Sequence, residues 1–569
     1  MMFVSATRRR VRLAGHASRS LSFFDKMFSY GGNDDVKASS AGGSSGYQLA
    51  LLGYVAGTMF PKDSLKRILT NDPGFLMGHV LVGASEYLHP RLHGDSQDAV
   101  RRVDTVKALL VDGSAQSKTE TLHVHALSAL VGGRYREASV AYETILREDA
   151  TDLLAVKCAV DIYTLLGDAR NMQDTISRVL PQWQTNHQGY SHLMSLQAFA
   201  VQERGDFAAA ESLAHRSMSM NNEDGSAFHA LLHALESQGK HQDGASMVQR
   251  HRDAWSEYAV LKAHLTVHWM YFLIETGRFD RVVALLKNDV LVPDEVLSAN
   301  GLVDVTQVYW RLRFAGFDVP FVLEELDRQW TAVVKDAETV PLSPLAALHA
   351  HSVFSLLRPE SDTPQISDQA FACDVQALHA AWVGQGLSID RIVQFSHRLP
   401  GNGEGHVVAT LLDAISAYAK GQFHVAVDKL LSVRGHLHVV GGTRVEAEFF
   451  ELLLVDACVT HLKSSACSLV VFIMFLSLQG PRILATRPGQ AAPHRTLKYQ
   501  APQCAVLENL WGHHGRPPGR SWRRRSEAHE LRSRIGSSGN ECSIKALNRR
   551  LWIGFRARIH LNRQKIRKN

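Results

Sequence analysis

Histidine pairs spaced one helical turn apart are the residues of this sequence with the most evident chemical potential. The 569-residue chain contains 29 histidines. Three pairs have the spacing i,i+4, namely His89 and His93, His229 and His233, and His264 and His268. Two imidazoles one turn apart on a helix project from the same face, as two ligands of one metal ion must. Their placement, more than their number, makes these pairs candidate metal ligands.

Two functions are compatible with these side chains. The first, which the sequence alone favours, is a non-catalytic interaction scaffold that binds a protein or peptide partner and needs no cofactor. Its groove would be lined by His123, His229, His233, His264 and His268. The alternative is a metal-dependent, hydrolase-like enzyme with one transition-metal ion on His229, His233, His264 and His268. Glu236 would then be the base for a metal-bound water, although the sequence has no HExxH motif.

Other common chemistries have no support in the sequence. It contains no GxxxxGK[ST] phosphate loop, no GxGxxG segment after a strand and no GxSxG nucleophile elbow with its serine between a strand and a helix. Its six cysteines form no CxxC pair and are too sparse for a disulfide framework. Nucleotide-binding folds, serine hydrolases and zinc ribbons are therefore not indicated.

A repeated turn signal shows which elements must position the histidines. Short turns of the type Gly-x-aromatic begin at Gly133, Gly205, Gly277 and Gly421, and similar loop glycines, Gly167 and Gly239, lie between them. The first five glycines are 34, 38, 34 and 38 residues apart, and small or apolar residues follow most of them at helical spacing. Six helix–turn–helix units are predicted, at 119–152, 153–186, 191–224, 225–258, 263–296 and 407–440. The register of 297–406 is left open.

This period predicts an all-α fold. A 34-residue helical hairpin with the pattern G-x-[FY]-x-x-A is typical of tetratricopeptide (TPR) repeats, which stack into a right-handed superhelical solenoid with a concave groove. With the turn glycine at position 15 of each unit, His123 and His229 fall at position 5 and His233 at position 9. His264 falls at position 2 of the next unit. These positions line the groove in TPR-like proteins, so the histidines of consecutive repeats are expected to converge.

A narrower resemblance rests on several short motifs in a fixed order. They are Asn71 to His79 (NDPGFLMGH), Leu122-His123-Val124, the two histidine pairs at 229/233 and 264/268, Tyr309 to Leu312 (YWRL), and Gly441-Gly442. Over residues 47–460 the chain resembles the tetratricopeptide repeat protein 38 family. The resemblance implies an all-helical, TPR-like protein and no particular chemistry. The chain follows the family pattern only to His461.

Charge separates the body of the chain from its ends. Residues 463–569 carry 21 basic and four acidic residues, a net charge of +17, and residues 1–24 carry +5. Residues 25–462 therefore carry −16, because the whole chain has +6. We expect this acidic body to bind a basic or mixed-charge peptide in preference to nucleic acid.

The predicted domain organisation follows from these changes in net charge along the chain and from the limits of the helical pattern. Residues 1–46 are a basic extension with a Gly/Ser linker, residues 47–462 the helical repeat domain, and residues 463–569 a basic tail that is either disordered or the product of an incorrect gene model. The Arg-rich, acid-free start is typical of a mitochondrial transit peptide, so a mitochondrial and a cytoplasmic location are both compatible with it. No membrane span is expected, because the apolar run at 466–478 is shorter than the ~20 residues that cross a bilayer.

Overall fold

The computed structural model describes residues 45–113, 117–335, 342–357 and 404–464. This part of the chain is all-α, as predicted, and contains one isolated β-bridge between Leu92 and Leu297 but no strand. The basic N-terminal extension and the tail beyond 464 lie outside the described residues. In the described ranges, no helix is long and apolar enough to cross a membrane.

The α-helices of the described ranges are numbered here in chain order. They are α1 (Ser45–Val55), α2 (Pro61–Asn71), α3 (Leu76–Leu88), α4 (His93–Val111), α5 (Lys118–Val131), α6 (Tyr135–Glu148), α7 (Leu153–Leu165), α8 (Ala169–Val179), α9 (Tyr190–Glu203), α10 (Phe207–Met220), α11 (Gly225–Ser237), α12 (His241–Arg250), α13 (Arg252–Trp255), α14 (Lys262–Glu275), α15 (Phe279–Leu285), α16 (Ala299–Phe314), α17 (Pro320–Lys335), α18 (Pro344–Leu357), α19 (Glu404–Ala419), α20 (Phe423–Val433) and α21 (Arg444–Ser464).

Each of the six predicted units is a pair of helices joined at the predicted glycine. The pairs are α5/α6, α7/α8, α9/α10, α11/α12, α14/α15 and α19/α20. Most of the turn glycines, for example Gly133, Gly205 and Gly277, have φ between 64° and 90°, a left-handed conformation in which glycine ends a helix with little strain. The second and fourth pairs also begin with an aspartate, Asp152 and Asp224 respectively, whose carboxylate accepts a backbone N–H of the first turn.

The segment whose register was left open is helical where it is described. It contributes α16, α17 and α18, and residues 358–403 lie outside the described residues. Trp310 of α16 and Trp330 of α17 are among the largest fully buried side chains. These helices therefore belong to the core and do not merely connect repeats.

Apolar side chains form two large buried clusters. One extends from Ala50 to Ala200 and the other from Ala198 to Cys458, and Phe199 packs against both. Trp255 and Trp269 are buried in the second cluster. The two clusters meet at α9, which belongs to the helical unit immediately before the one that carries His229 and His233.

Segments far apart in sequence close the array on itself. The backbone N–H of His93 donates to the Val296 carbonyl at 2.9 Å, and Ser298 Oγ donates to the Pro90 carbonyl at 3.1 Å. At another junction, the N–H of Gly442 donates to the Thr164 carbonyl at 2.8 Å. Residues 296–298 therefore contact the junction of α3 and α4, and Gly442 contacts the end of α7.

Candidate metal centre

Four histidine side chains meet in the interior of this array. His229 and His233 come from α11, and His264 and His268 come from α14. The Nε2 atom of His229 lies 2.9 Å from Nε2 of His233 and 3.0 Å from Nε2 of His264. The Nε2 atoms of His264 and His268 are 3.2 Å apart, and one ligand atom from each of the four residues lies within 4.8 Å of the others. We call this set the four-histidine cluster.

The repeat architecture explains why these side chains meet. A spacing of four residues places the two histidines of a pair on the same face of their helix. His229 and His264 are 35 residues apart, which is one helix–turn–helix unit, so they occupy neighbouring positions on consecutive first helices. The convergence predicted for the histidines of consecutive repeats is therefore present.

Carboxylates from three helices stand behind three of the four rings. Asp304 of α16 lies 2.7 Å from Nδ1 of His264, and Glu236 at the end of α11 lies 3.3 Å from Nδ1 of His268. Glu203 of α9 lies 4.0 Å from Nδ1 of His233, beyond hydrogen-bonding distance. A carboxylate on the far nitrogen of an imidazole fixes its orientation and its tautomer, as it does for most metal-ligating histidines.

The cluster is enclosed on one side and open to solvent on the other. His233 and His268 are about 1% exposed, whereas the side chain of His264 is 30% exposed. Phe199 stacks on the ring of His229 with centroids 5.6 Å apart and meets the ring of His233 edge-on at 5.3 Å. These contacts hold two of the rings rigidly while the edge at His264 remains accessible.

Electrostatics keep most of the cluster uncharged. Burial lowers the pKa values of His229, His233 and His268 well below the ordinary value, and neighbouring imidazoles lower them further. Burial also opposes a charge on His264, but the bonded Asp304 carboxylate outweighs it and the pKa of His264 is raised. Near neutral pH, three rings are therefore in the neutral form that metal ions bind.

Counting protons shows that the cluster suits a cation. The Nδ1 protons of His264 and His268 are directed at carboxylates, so in the neutral form of each ring its Nε2 atom presents a lone pair to the centre. Nε2 of His229 faces two other Nε2 atoms at about 3 Å but can carry one proton at most. More lone pairs than protons meet here, and a bound metal ion would satisfy all of them.

Not every predicted site residue belongs to the cluster. His123 is buried elsewhere, where Nε2 bonds Asp152 Oδ2 at 2.9 Å and the ring contacts Tyr142. His89 and His93 do not share a helix, because His89 follows the end of α3 and His93 begins α4. Glu236 is close to the cluster, but it contacts the far nitrogen of His268 and is 4% exposed.

Several residues around the centre were missed by sequence reasoning. Asp304, Glu203 and Phe199 lie outside the histidine-bearing helices, and nothing in the local sequence links Asp304 to His264 across 40 positions. A weak signal did exist for the glutamates. Glu203 stands two residues before Gly205 and Glu236 three residues before Gly239, so an acid recurs near the end of consecutive first helices.

The fold and the cluster together define an all-helical protein with a buried four-imidazole site. No protein-family model matches the chain. Its function must therefore be argued from the site itself.

Proposed function

We propose that this protein is a metal-dependent enzyme whose four-histidine cluster binds one first-row transition-metal ion. The observation that carries the proposal is the meeting of four imidazole nitrogens within 4.8 Å of one another, with carboxylates bonded behind the rings of His264 and His268. Imidazole ligands suit zinc, copper, iron and nickel, and zinc is the first ion to test. In a tetrahedral site, metal–nitrogen bonds of about 2.0–2.1 Å place ligand atoms about 3.3–3.4 Å apart, and the three closest Nε2 pairs of the cluster are 2.9, 3.0 and 3.2 Å apart.

The ligand set supports hydrolytic chemistry. Three of the neutral imidazoles would hold the ion and leave its full charge in place, with the fourth position free for a water whose pKa such an ion would lower to about 7. The accessible edge at His264 is where a water and a substrate would reach the ion. A water this acidic would need no strong base, so Glu236 would act by orienting His268 instead of taking the proton.

The same observations weigh against the peptide-binding scaffold. A docked segment must touch the residues that recognise it, but His123, His233 and His268 are each about 1% exposed. α16 packs beside α14, where Asp304 bonds His264, and α21 packs on α16 through the bond from Gln307 to the Glu446 carbonyl. Three of the five histidines expected in the groove are thus out of reach of a docked chain segment.

The repeat type is part of the proposal. Six glycine-turned helix pairs with a period of 34 to 38 residues support a TPR-type superhelix, here with its concave side filled by the metal centre. The order of the short motifs supports kinship with the tetratricopeptide repeat protein 38 family. Within such an array, first helices supply the ligands and the closing segments shape the site.

Metal content and metal-dependent hydrolysis test the proposal together. The full chain, purified without chelators, should contain about one transition-metal ion, and His264→Ala and His233→Ala should lose it. His123→Ala is the matched control, because it removes a buried histidine that bonds a carboxylate outside the cluster. We expect this control to retain the metal.

Activity is then measured with chromogenic ester and phosphodiester probes on the zinc-loaded and metal-free proteins. Zinc-dependent turnover that His264→Ala abolishes and His123→Ala preserves is the expected result. A folded protein that binds no ion would overturn the proposal. Binding without turnover of either probe class would reduce it to a metal-binding role.

A further inference from the structure

The start of the last helix packs against the acids that surround the four-histidine cluster. The backbone N–H of Arg444 donates to Glu203 Oε2 at 2.9 Å. Gln307 and Arg311 of α16 bond the carbonyls of Glu446 and Val445 at 3.2 and 3.3 Å. Residues 441–448, called the cap segment below, therefore reach the cluster although about 175 positions separate them from His268.

Arg311 connects the cap segment to a metal-ligand candidate. Its side chain is 2% exposed, bonds Glu448 Oε2 of the cap segment at 3.2 Å and lies 3.7 Å from Glu236. Glu236 in turn contacts Nδ1 of His268. The guanidinium also lies 4.3 Å from the ring centre of Tyr271, which restricts its position. A buried arginine between two carboxylates fixes both, because losing either partner would leave a charge uncompensated.

Two glycines allow the cap segment and the residues just before it to pack against the turn between α7 and α8. Gly167 in the turn between α7 and α8 packs directly on the His438 carbonyl, and Gly441 packs directly on the Leu165 carbonyl. A methyl group at either position would overlap a backbone oxygen, which cannot move aside as a side chain can. The N–H of Gly442 also donates to the Thr164 carbonyl. We call these contacts of Gly167, Gly441 and Gly442 the glycine clasp.

We propose that the cap segment is an outer wall of the metal site and that the glycine clasp sets how long the ion stays bound. This inference rests on the proposed metal function. With the clasp closed, the cap segment fixes Glu203 beside His233 and, through Arg311, fixes Glu236, which orients His268. With the clasp open, His268 loses this support, and outer carboxylates of this kind change metal affinity by about 10–100-fold.

Metal release from the full chain tests the clasp. The zinc-loaded protein is mixed with excess chelator, and the release rate is compared among wild type, Gly167→Ala and Gly277→Ala. Gly277 has a similar positive φ, +77° against +64°, but an added methyl there would meet no atom within 4 Å. Gly277 also ends α14, which carries two of the ligands, so it controls for helix-end strain.

We expect Gly167→Ala to release zinc at least 10-fold faster than Gly277→Ala at comparable thermal stability. Equal rates in the two variants would overturn the inference and leave the metal site untouched. A wild-type protein that binds no zinc would instead refute the proposed function, so the two failures are distinguishable.

A milder pair of variants covers the case in which Gly167→Ala does not fold. Glu448→Gln removes the charge that faces Arg311, and Glu451→Gln removes another ion-paired glutamate of α21, which bonds Arg434 near the surface. Cobalt(II) replaces zinc, and its visible absorption reports ligand geometry. We expect a changed spectrum and faster release for Glu448→Gln only. Unchanged behaviour of Glu448→Gln contradicts the role given to the cap segment.

Discussion

The number of protons released on metal binding depends on the pKa values of the four histidines, which are shifted in different directions. The perturbation is the addition of zinc to metal-free protein at pH 6.0. A bound ion requires each ligand nitrogen to be unprotonated, so every proton held by the cluster beforehand must leave. The number released therefore reports the protonation state that the surroundings impose on His229, His233, His264 and His268.

The expected number comes from the directions of the pKa shifts. His264, raised by Asp304, carries more than the ~0.76 proton of an unperturbed histidine at pH 6.0, and the three lowered rings carry almost none. We predict release of about one proton per zinc. Four unperturbed histidines would release about three.

Calorimetric titration in buffers of different ionisation enthalpy gives this number directly. Asp304→Asn is the informative variant, because it removes the charge that raises the pKa of His264. Proton release should then fall well below one while zinc still binds. Release of three or more protons by the wild type would show that the cluster is solvated and would refute the electrostatic reasoning.

Three further predictions follow from the same contacts. The free energy of unfolding of the metal-free protein should decrease as the pH falls below about 6.5, by up to ~1.4 kcal/mol per pH unit for each histidine whose pKa is lowered. The reason is that these histidines bind protons in the unfolded chain but not in the folded protein. Denaturant unfolding at several pH values measures this dependence, and a free energy independent of pH would contradict it. Asp304→Asn should weaken zinc binding about 10–100-fold in chelator competition, and an unchanged affinity would rule out its orienting role. His123→Ala should lower the unfolding free energy by about 1.5–3 kcal/mol by breaking the buried bond to Asp152, with unaltered zinc affinity.

The helical pairs could be predicted because their signals are local. A glycine such as Gly205 ends a helix within its own turn, and apolar spacing defines the buried face on either side. Convergence of His229 with His264 was also predictable, since a repeat brings equivalent positions of consecutive units together. Sequence period alone was enough for both.

The outer part of the site could not be predicted because it depends on distant segments. Asp304 meets His264 only through the packing of α16 on α14, and the cap segment reaches Glu203 across 241 positions. Such contacts are fixed by tertiary packing and leave no period in the sequence. The sequence also could not show that His233 and His268 are almost fully buried, which is the observation that we weigh against a peptide-binding groove.

X-ray absorption at the zinc edge of the loaded full-length protein tests the central claim most directly. The account predicts three to four imidazole nitrogens at about 2.0–2.1 Å, with the outer-ring scattering that imidazoles produce, and a loss of that signal in His264→Ala. A zinc ion surrounded by oxygen or sulfur, or an identical spectrum in His264→Ala, would contradict a centre built by the four histidines.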